Sequence, residues 1–107
     1  MNQEVIFFAG GRNSPKNKVV LVNETIGNVL KMLGATNVNH SYLLSEGFPT
    51  EAYSYYKFNG LGIIATFLKF NNKECTLSVN FSGFEEKPEI LDKLKTYLKY
   101  TFKKFLY

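Results

Sequence analysis

The residues that could carry out acid–base, nucleophilic or metal chemistry are few and scattered. His40 is the single histidine and Cys75 the single cysteine. A zinc site or a catalytic triad needs several such groups together. Glu46 and Glu51 flank a Gly-Pro segment and could form a carboxylate pair, but carboxylates in such a segment are normally solvated, and nothing near them in the sequence would raise a pKa. We therefore expect no enzymatic activity, no metal and no cofactor.

The Gly10-Gly11 dipeptide follows an apolar run, as the glycines of a phosphate-binding loop do. The chain contains neither GxxxxGK[ST] nor GxGxxG, and the apolar run Val19–Val22 predicts a strand where a nucleotide site requires a helix. We interpret residues 9–17, which are rich in Gly, Asn, Ser and Pro, as a connecting loop.

Length and composition predict one domain with a single modest core. The chain has 107 residues, of which 45% are hydrophobic, and its ten Phe and seven Tyr argue against disorder. One cysteine excludes an internal disulfide. The N-terminal apolar run is too short for a signal peptide or a membrane span, so we expect a cytoplasmic protein. The net charge of +4 arises at the C-terminal end, where residues 93–107 contain five Lys and no acidic residue.

Residues 52–81 predict three antiparallel strands joined by two tight turns. Asn59-Gly60 is a strong hairpin signal, because a type I′ turn needs positive φ at both central positions, and Asn71-Asn72 is a weaker one. Since side chains alternate across a strand, the turn lengths assign every side chain to a face. Two-residue turns give the pairs Phe58–Leu61 and Phe70–Lys73.

One face of this predicted meander forms the core. The third strand alternates cleanly between apolar and polar residues, and Leu77 should be fully buried between the sheet and a helix. The residues assigned to this face are Tyr53, Tyr55, Ile64, Leu68, Cys75, Leu77, Val79 and Phe81.

The opposite face is apolar along the first two strands and polar along the third, a combination typical of contact surfaces. We expect Tyr56, Ile63, Phe67 and Asn80 to contact a partner there. Two alternatives remain open. Another element of the chain covers this face, as is common for central strands, or a three-residue second turn exchanges the faces of the middle strand and brings Ile64 and Leu68 into the patch.

The segments before the meander predict an N-terminal hairpin or two edge strands, then a helix. The strands are Glu4–Phe8 and Val19–Val22. Asn23 is a candidate N-cap, and Gly34 ends the helix. Its apolar stripe is Ile26, Val29, Leu30 and Leu33. Residues 35–51 predict a connector with a short strand at 42–44.

The C-terminal segment predicts a second helix from Pro88 to about Leu106. Glu85, Glu86 and Glu89 cluster near its start and the lysines follow, which complements the helix dipole; these three glutamates are further candidate contact residues. The buried stripe is Ile90, Leu91, Leu94, Leu98, Thr101, Phe102 and Phe105. The predicted fold class is thus α+β: an antiparallel sheet, made of the N-terminal hairpin and the meander, with two helices packed against it.

One flank of the second helix alternates cations with aromatic residues: Lys93, Tyr97, Tyr100 and Lys104. Such a stripe can follow phosphates and stack bases. Long side chains that lie along a helix edge give the same pattern without any ligand. A small basic nucleic-acid-binding module is therefore the alternative function.

The order of elements resembles that of small immunity proteins from contact-dependent growth inhibition and related polymorphic toxin systems. It is also similar to the inhibitory half-repeat of the β-lactamase inhibitor protein and to SmpA/OmlA-type lipoprotein domains, although Cys75 cannot serve as a lipobox cysteine. The resemblance covers about residues 19–82. It rests on Thr25-Ile26-x-x-Val29-Leu30-x-x-Leu33-Gly34, Tyr53-x-Tyr55-Tyr56, Gly60-Leu61-Gly62-Ile63 and Leu77-x-Val79-x-Phe81.

The resemblance to immunity proteins implies a cytoplasmic protein that binds a cognate toxin domain, one to one, and blocks its active site. It implies no catalytic residue. The lysine-rich helix suits an acidic partner surface. A basic toxin would instead have to be met by an interface that avoids this helix and uses Glu85, Glu86 and Glu89.

Overall fold

The computed structural model describes residues 2–10, 19–58, 62–70 and 74–106, which form an antiparallel sheet and two helices. The α+β class is confirmed. The elements are β1 (Asn2–Gly10), α1 (Val19–Met32), β2 (Ala35–Ser45), β3 (Phe48–Phe58), β4 (Gly62–Phe70), β5 (Glu74–Ser82) and α2 (Pro88–Leu106). Strands β2 to β5 form a meander, and β1 lies beside β5, so the order across the sheet is β1-β5-β4-β3-β2.

The core lies between one face of the sheet and the two helices. Helix α1 packs on β2, β3 and β4, whereas α2 packs on β1 and on α1. Leu77 is fully buried, as predicted. The predicted stripe of α2 is confirmed at Leu94, Leu98 and Phe102, which are buried; the side chain of Phe105 lies outside the described part. Phe84, in the turn before α2, is buried against Phe58 and Phe81. Its ring centroid lies 5.8 Å from the ring centroid of each.

The predicted N-terminal hairpin is wrong, because Val19–Val22 is the first turn of α1 and β1 pairs with β5 instead. Val19 and Val22 extend the apolar stripe of Ile26 and Leu30, and all four side chains are fully buried. Burial against the sheet outweighs the weak preference of valine for strands.

Asn23 is accordingly an interior residue of α1, and its predicted role as N-cap is wrong. The predicted end of the helix is confirmed, since α1 stops at Met32 and Gly34 has a φ of 111°. The loop predicted at residues 9–17 lies mostly outside the described residues. The helix that follows removes one objection to a phosphate loop at Gly10-Gly11, but the sequence still lacks both phosphate-loop motifs.

Residues 35–51, which were expected to form a connector with a short strand at 42–44, belong instead to the long hairpin of β2 and β3. Ser45 pairs with Phe48 across a two-residue turn at Glu46-Gly47, whose φ angles are 53° and 84°. Positive φ at both central positions is the geometry of a type I′ turn. A glutamate is unusual at the first of them, which is why the sequence did not indicate this hairpin.

The predicted register between β3 and β4 is wrong by one residue. Phe58 pairs with Gly62 and not with Leu61, so Tyr53 and Tyr55 leave the core face and Tyr56 and Phe58 enter it. The predicted turn at Asn59-Gly60 itself lies outside the described residues.

The register between β4 and β5 differs from the prediction by two residues, which leaves the faces unchanged. Phe70 pairs with Cys75 instead of Lys73. Ile64, Leu68, Leu77, Val79 and Phe81 therefore share the covered face as predicted, and the alternative with exchanged faces is not observed. The turn predicted at Asn71-Asn72 also lies outside the described part.

Candidate functional site

Within the described residues, no helix or strand packs on the sheet face opposite α1 and α2, and this face carries a strip of apolar side chains. We define the open-face strip as Tyr53, Tyr55, Ile63 and Phe67. Tyr53 lies directly opposite Phe67, and Tyr55 lies opposite Ala65. Tyr55 and Ile63 are about half exposed.

One end of the strip is held in place by polar contacts. The Tyr53 ring meets Phe67 edge-on, with centroids 4.5 Å apart. The Tyr53 hydroxyl donates to Oε2 of Glu51 at 3.3 Å, and Nζ of Lys69 lies 3.8 Å from Oε1 of the same carboxylate. Desolvation, and then the negative charge of Glu51, raise the pKa of Tyr53. Lys69 and Glu51 offset each other, so this end of the face is close to neutral.

Polar residues of β5 border the strip. Ser78 lies opposite Phe67, and Asn80 lies opposite Ala65. These side chains, together with Thr76 and Ser82, are partly exposed. An apolar centre with a rim of hydroxyls and amides is the composition expected of a protein-binding surface.

The structure brings together three of the predicted contact residues and separates the others from them. Ile63, Phe67 and Asn80 share the open face. Tyr56 does not belong there, because it is buried on the covered face. Glu85, Glu86 and Glu89 are exposed in the turn before α2 and in its first turn, on the helix side of the sheet. The role of Ile63, Phe67, Asn80 and the three glutamates in binding stays a prediction.

Sequence reasoning missed Tyr53 and Tyr55 as surface residues. Their assignment depended entirely on the length of the β3–β4 connection. With Leu61 counted as a third connecting residue, alternation places both tyrosines on the open face. The alternation along β3 is broken at Tyr55-Tyr56, so the pattern of this strand favours neither face and could not have fixed its faces independently.

A second feature is a polar cleft of about 300 Å³ between α1 and the β2–β3 hairpin. Nδ2 of Asn23 donates to Oγ of Ser54 at 3.1 Å and to the Tyr42 hydroxyl at 3.3 Å. Asn23 and Ser54 are almost wholly buried, so these bonds offset the cost of removing their polar groups from water. The cleft is lined by Asn23, Glu24, Gly27, Asn28, Lys31, Asn37, His40, Tyr42, Ser54 and Tyr56.

Tyr56 forms the floor of this cleft and contacts α1 where the helix has no side chain. A Cβ atom at Gly27 would lie 2.8 Å from the Tyr56 hydroxyl oxygen, so a larger residue at this position would force the buried Tyr56 side chain to shift. Burial raises the pKa of Tyr56, and hydrogen bonds with Ser54 and Asn37 partly oppose that shift. The cleft offers amides and hydroxyls suited to hydrogen bonding.

Other candidate groups are placed as follows. Cys75 is fully buried, as predicted, and burial raises the pKa of its thiol from 9.0 to about 12. No cluster of three His, Cys, Asp or Glu side chains suited to a metal occurs within the described residues. In the same part of the chain, no helix combines the length and the apolar character needed to cross a bilayer.

The outer surface of α2 exposes aromatic and basic side chains together. Tyr97 and Tyr100 are 45% and 68% exposed, and Nζ of Lys93 lies 5.9 Å from the centre of the Tyr97 ring. Lys99 and Lys103 are also exposed. This stripe lies on the helix layer, so the open-face strip and the basic surface belong to different sides of the molecule.

No family model, curated protein or solved structure matches this chain.

Proposed function

We propose that this chain is a cytoplasmic immunity protein that binds a cognate bacterial toxin domain through the open-face strip and blocks its active site. The observation that carries this proposal is the uncovered strip of Tyr53, Tyr55, Ile63 and Phe67. A domain that buries one face of its sheet under two helices could have exposed polar residues on the other. Here, two tyrosines, an isoleucine and a phenylalanine lie on neighbouring strands of that face.

The strip has the features of an energetic centre of a protein interface. Such centres are rich in aromatic residues and are surrounded by contacts that exclude water. Tyrosine contributes a large area at little cost in conformational entropy. The contact between Tyr53 and Phe67 fixes part of the strip before binding, which reduces the entropy lost on association.

The charges predict the character of the partner surface. Lys69 and Glu51 form an ion pair at one end of the strip, so that end does not favour a strongly charged partner. The lysines of α2 lie on the helix layer. A basic toxin domain that binds the open face would therefore not contact α2. Repulsion between the lysines of this helix and a basic partner is then no obstacle to binding.

The assignment to toxin inhibition comes from the resemblance to immunity proteins over residues 19–82. The resemblance gives the class of partner and the expected one-to-one stoichiometry. The open-face strip is the surface that we propose for binding the partner. The two parts of the proposal can therefore be tested separately.

The proposal predicts that a neighbouring gene encodes the toxin domain, and the test of the partner class is co-expression of the chain with that domain. We expect a stable complex with one toxin domain per chain, nanomolar affinity by calorimetry, and loss of toxin activity at one equivalent of the chain. Absence of nanomolar binding to that domain would rule out the assignment as an immunity protein.

The test of the surface compares two exposed tyrosines. Tyr55→Ala should weaken binding at least about tenfold, as expected for truncation of an aromatic anchor. Tyr100→Ala removes a comparably exposed ring from α2 and should leave affinity unchanged. If Tyr100→Ala weakens binding and Tyr55→Ala does not, the partner binds the helix layer.

The second candidate function is nucleic-acid binding by α2, favoured by the exposure of Tyr97 and Tyr100 among lysines. Affinity for a single-stranded oligonucleotide should then fall steeply with salt, with a log–log slope of about −0.7 per phosphate contacted. Weak binding that does not change between low and moderate salt would remove this candidate.

A further inference from the structure

Strand β2 forms one edge of the sheet and lacks the charged residues and proline that often protect an edge strand. Its 11 residues include no Lys, Arg, Asp, Glu or Pro. Edge strands normally carry such residues because they discourage pairing with other chains. Val38, Leu43 and Leu44 are instead 65%, 51% and 64% exposed. Because no other described strand pairs with this edge, it combines available backbone groups with apolar side chains, as sites of strand addition do.

The regular part of this edge is centred on Ser41. Register shifts interrupt the pairing of β2 with β3 between Asn37 and Asn39 and between Leu43 and Leu44. Residues 39–43 lie between the two irregularities and pair with β3 in unbroken register. In a regular antiparallel strand, alternate residues direct their N–H and C=O groups away from the neighbouring strand. Two copies of such a segment can pair antiparallel about a two-fold axis at its central residue, which here is Ser41.

We infer that two copies of this chain associate by antiparallel pairing of residues 39–43 around a two-fold axis at Ser41. Ser41 then lies opposite Ser41 of the second copy, His40 opposite Tyr42, and Asn39 opposite Leu43. Each pair joins residues of the same face, so the two sheets continue into one another with their helices on the same side. None of the pairs places two like charges together, and the His40–Tyr42 pair brings two rings within cross-strand reach.

The distribution of charge favours a second copy of this chain as the partner that pairs with β2. An acidic or a basic partner would find no opposite charge on this strand, whereas an equally uncharged strand meets no unpaired charge. The positive excess of the chain lies on α2, which packs against β1 at the other edge. Four strand spacings of about 4.8 Å place β1 roughly 19 Å from β2, beyond the Debye length at physiological salt. Pairing through β2 therefore keeps the two lysine-rich helices far apart.

Association through this edge is compatible with the proposed function and independent of it. Edge-to-edge pairing extends the sheet without covering either face, so both open-face strips stay accessible. A partner that binds one to one would then give a two-to-two complex. The oligomeric state of the purified chain tests this inference, whatever the partner is.

The first test is sedimentation equilibrium of the purified chain and of two lysine variants. We expect a dimer for the wild type. Ser41→Lys should raise the dimer dissociation constant at least about tenfold, because the two-fold axis places the two ammonium-bearing side chains on directly opposite residues. Ser45→Lys adds the same charge at an exposed position of β2 outside the regular segment, opposite the uncharged Phe48, and should leave the dimer intact. Circular dichroism checks that both variants fold.

The second test is a disulfide across the axis. Directly opposite residues of antiparallel strands have Cα atoms about 4.5–5.5 Å apart, within the range that a disulfide spans. Ser41→Cys should therefore form a covalent dimer under mild oxidation, while the native Cys75 is buried and does not compete. Ser45→Cys is exposed on the same strand but has no cysteine opposite it in this register. It should stay uncrosslinked.

Three outcomes would overturn the inference. The first is a wild-type chain that stays monomeric well above micromolar concentration. The second is a dimer whose dissociation constant Ser41→Lys does not change. The third is equal crosslinking from Ser41→Cys and Ser45→Cys, which would indicate random collision.

Discussion

Tyr55 and Tyr56 are consecutive residues of β3 whose side chains lie on opposite faces of the sheet: Tyr55 is 49% exposed, and Tyr56 is 2% exposed beneath α1. The alternation of side chains along a strand produces this difference between two identical residues. Within this dipeptide, Tyr55 is therefore available for binding, whereas Tyr56 supports the fold.

The first prediction compares alanine substitutions at these two positions. Tyr56→Ala should reduce the free energy of unfolding by about 3–5 kcal/mol, because it leaves a cavity beneath α1 and removes hydrogen bonds of the cleft. Tyr55→Ala should change it by no more than about 0.5 kcal/mol, as exposed substitutions usually do. Urea denaturation of both variants measures the two values. Equal effects would mean that the register of β3 differs from the one described.

The second prediction concerns the contact between Gly27 and Tyr56. Alanine in place of glycine within a helix normally stabilises it by about 0.8–1 kcal/mol. Gly27→Ala should fail to do so here, and should lower the melting temperature, because its Cβ would lie 2.8 Å from the Tyr56 hydroxyl oxygen. In the Tyr56→Phe background the nearest ring atom is 3.6 Å away, an ordinary contact, and the same substitution should become stabilising.

The test is whether the effect of Gly27→Ala on stability changes sign between the wild-type and the Tyr56→Phe backgrounds. Thermal unfolding of the wild type, the two single variants and the double variant gives a complete cycle. If Gly27→Ala has the same effect in both backgrounds, the hydroxyl is not the group that limits space at this position.

The third prediction concerns Leu77, which is fully buried between the sheet and the helices. Leu77→Ala should cost about 2–5 kcal/mol, from lost transfer free energy and the remaining cavity. Ser78→Ala, at the next position and on the open face, is the matched control and should lie within about 0.5 kcal/mol of the wild type. A cost below about 1 kcal/mol for Leu77→Ala would be incompatible with the core described.

The fourth prediction concerns the buried thiol of Cys75. Because the thiolate is the reactive form and the pKa of this thiol is raised to about 12, native protein at pH 8 should react only very slowly with a thiol reagent. Denaturant should restore the reaction, since unfolding exposes the sulfur. Labelling by 5,5′-dithiobis(2-nitrobenzoate) with and without denaturant measures this; rapid labelling of the folded chain would contradict the burial.

The same shift makes stability depend on alkaline pH. Above the ordinary pKa of 9.0 the thiol of the unfolded chain loses its proton, while the folded chain keeps it up to about pH 12. The folded state then binds more protons, so the free energy of unfolding should fall as pH rises through this window, by up to about 1.4 kcal/mol per pH unit from this group. Cys75→Ala should show a shallower decline over the same range.

Much of the fold follows from local patterns in the sequence. The stripe at Leu94, Leu98 and Phe102 predicted α2 with its correct start at Pro88, and Gly34 predicted the end of α1. The clean alternation from Cys75 to Phe81 gave the core face of β5. In each case the pattern is repeated over several residues, so it does not depend on any one turn.

The open-face strip was only half predictable. Ile63, Phe67 and Asn80 were placed on one face because the error in the β4–β5 register was two residues, which preserves the faces. Tyr56 was placed there wrongly because the error in the β3–β4 register was one residue, which exchanges them. The identity of the turn residues indicated a hairpin but not its length.

The sequence by itself determined the fold class, the second helix and the residues that must be buried in β4 and β5, since hydrophobic periodicity is a local property of the chain. Only the tertiary structure decided that Val19–Val22 is helical, that Asn23 lies in a buried polar cluster, and that Tyr55 rather than Tyr56 is exposed. The physical reason is the same for all three. Burial against distant strands contributes more free energy than local propensity, and those contacts become visible only when the strands have been paired.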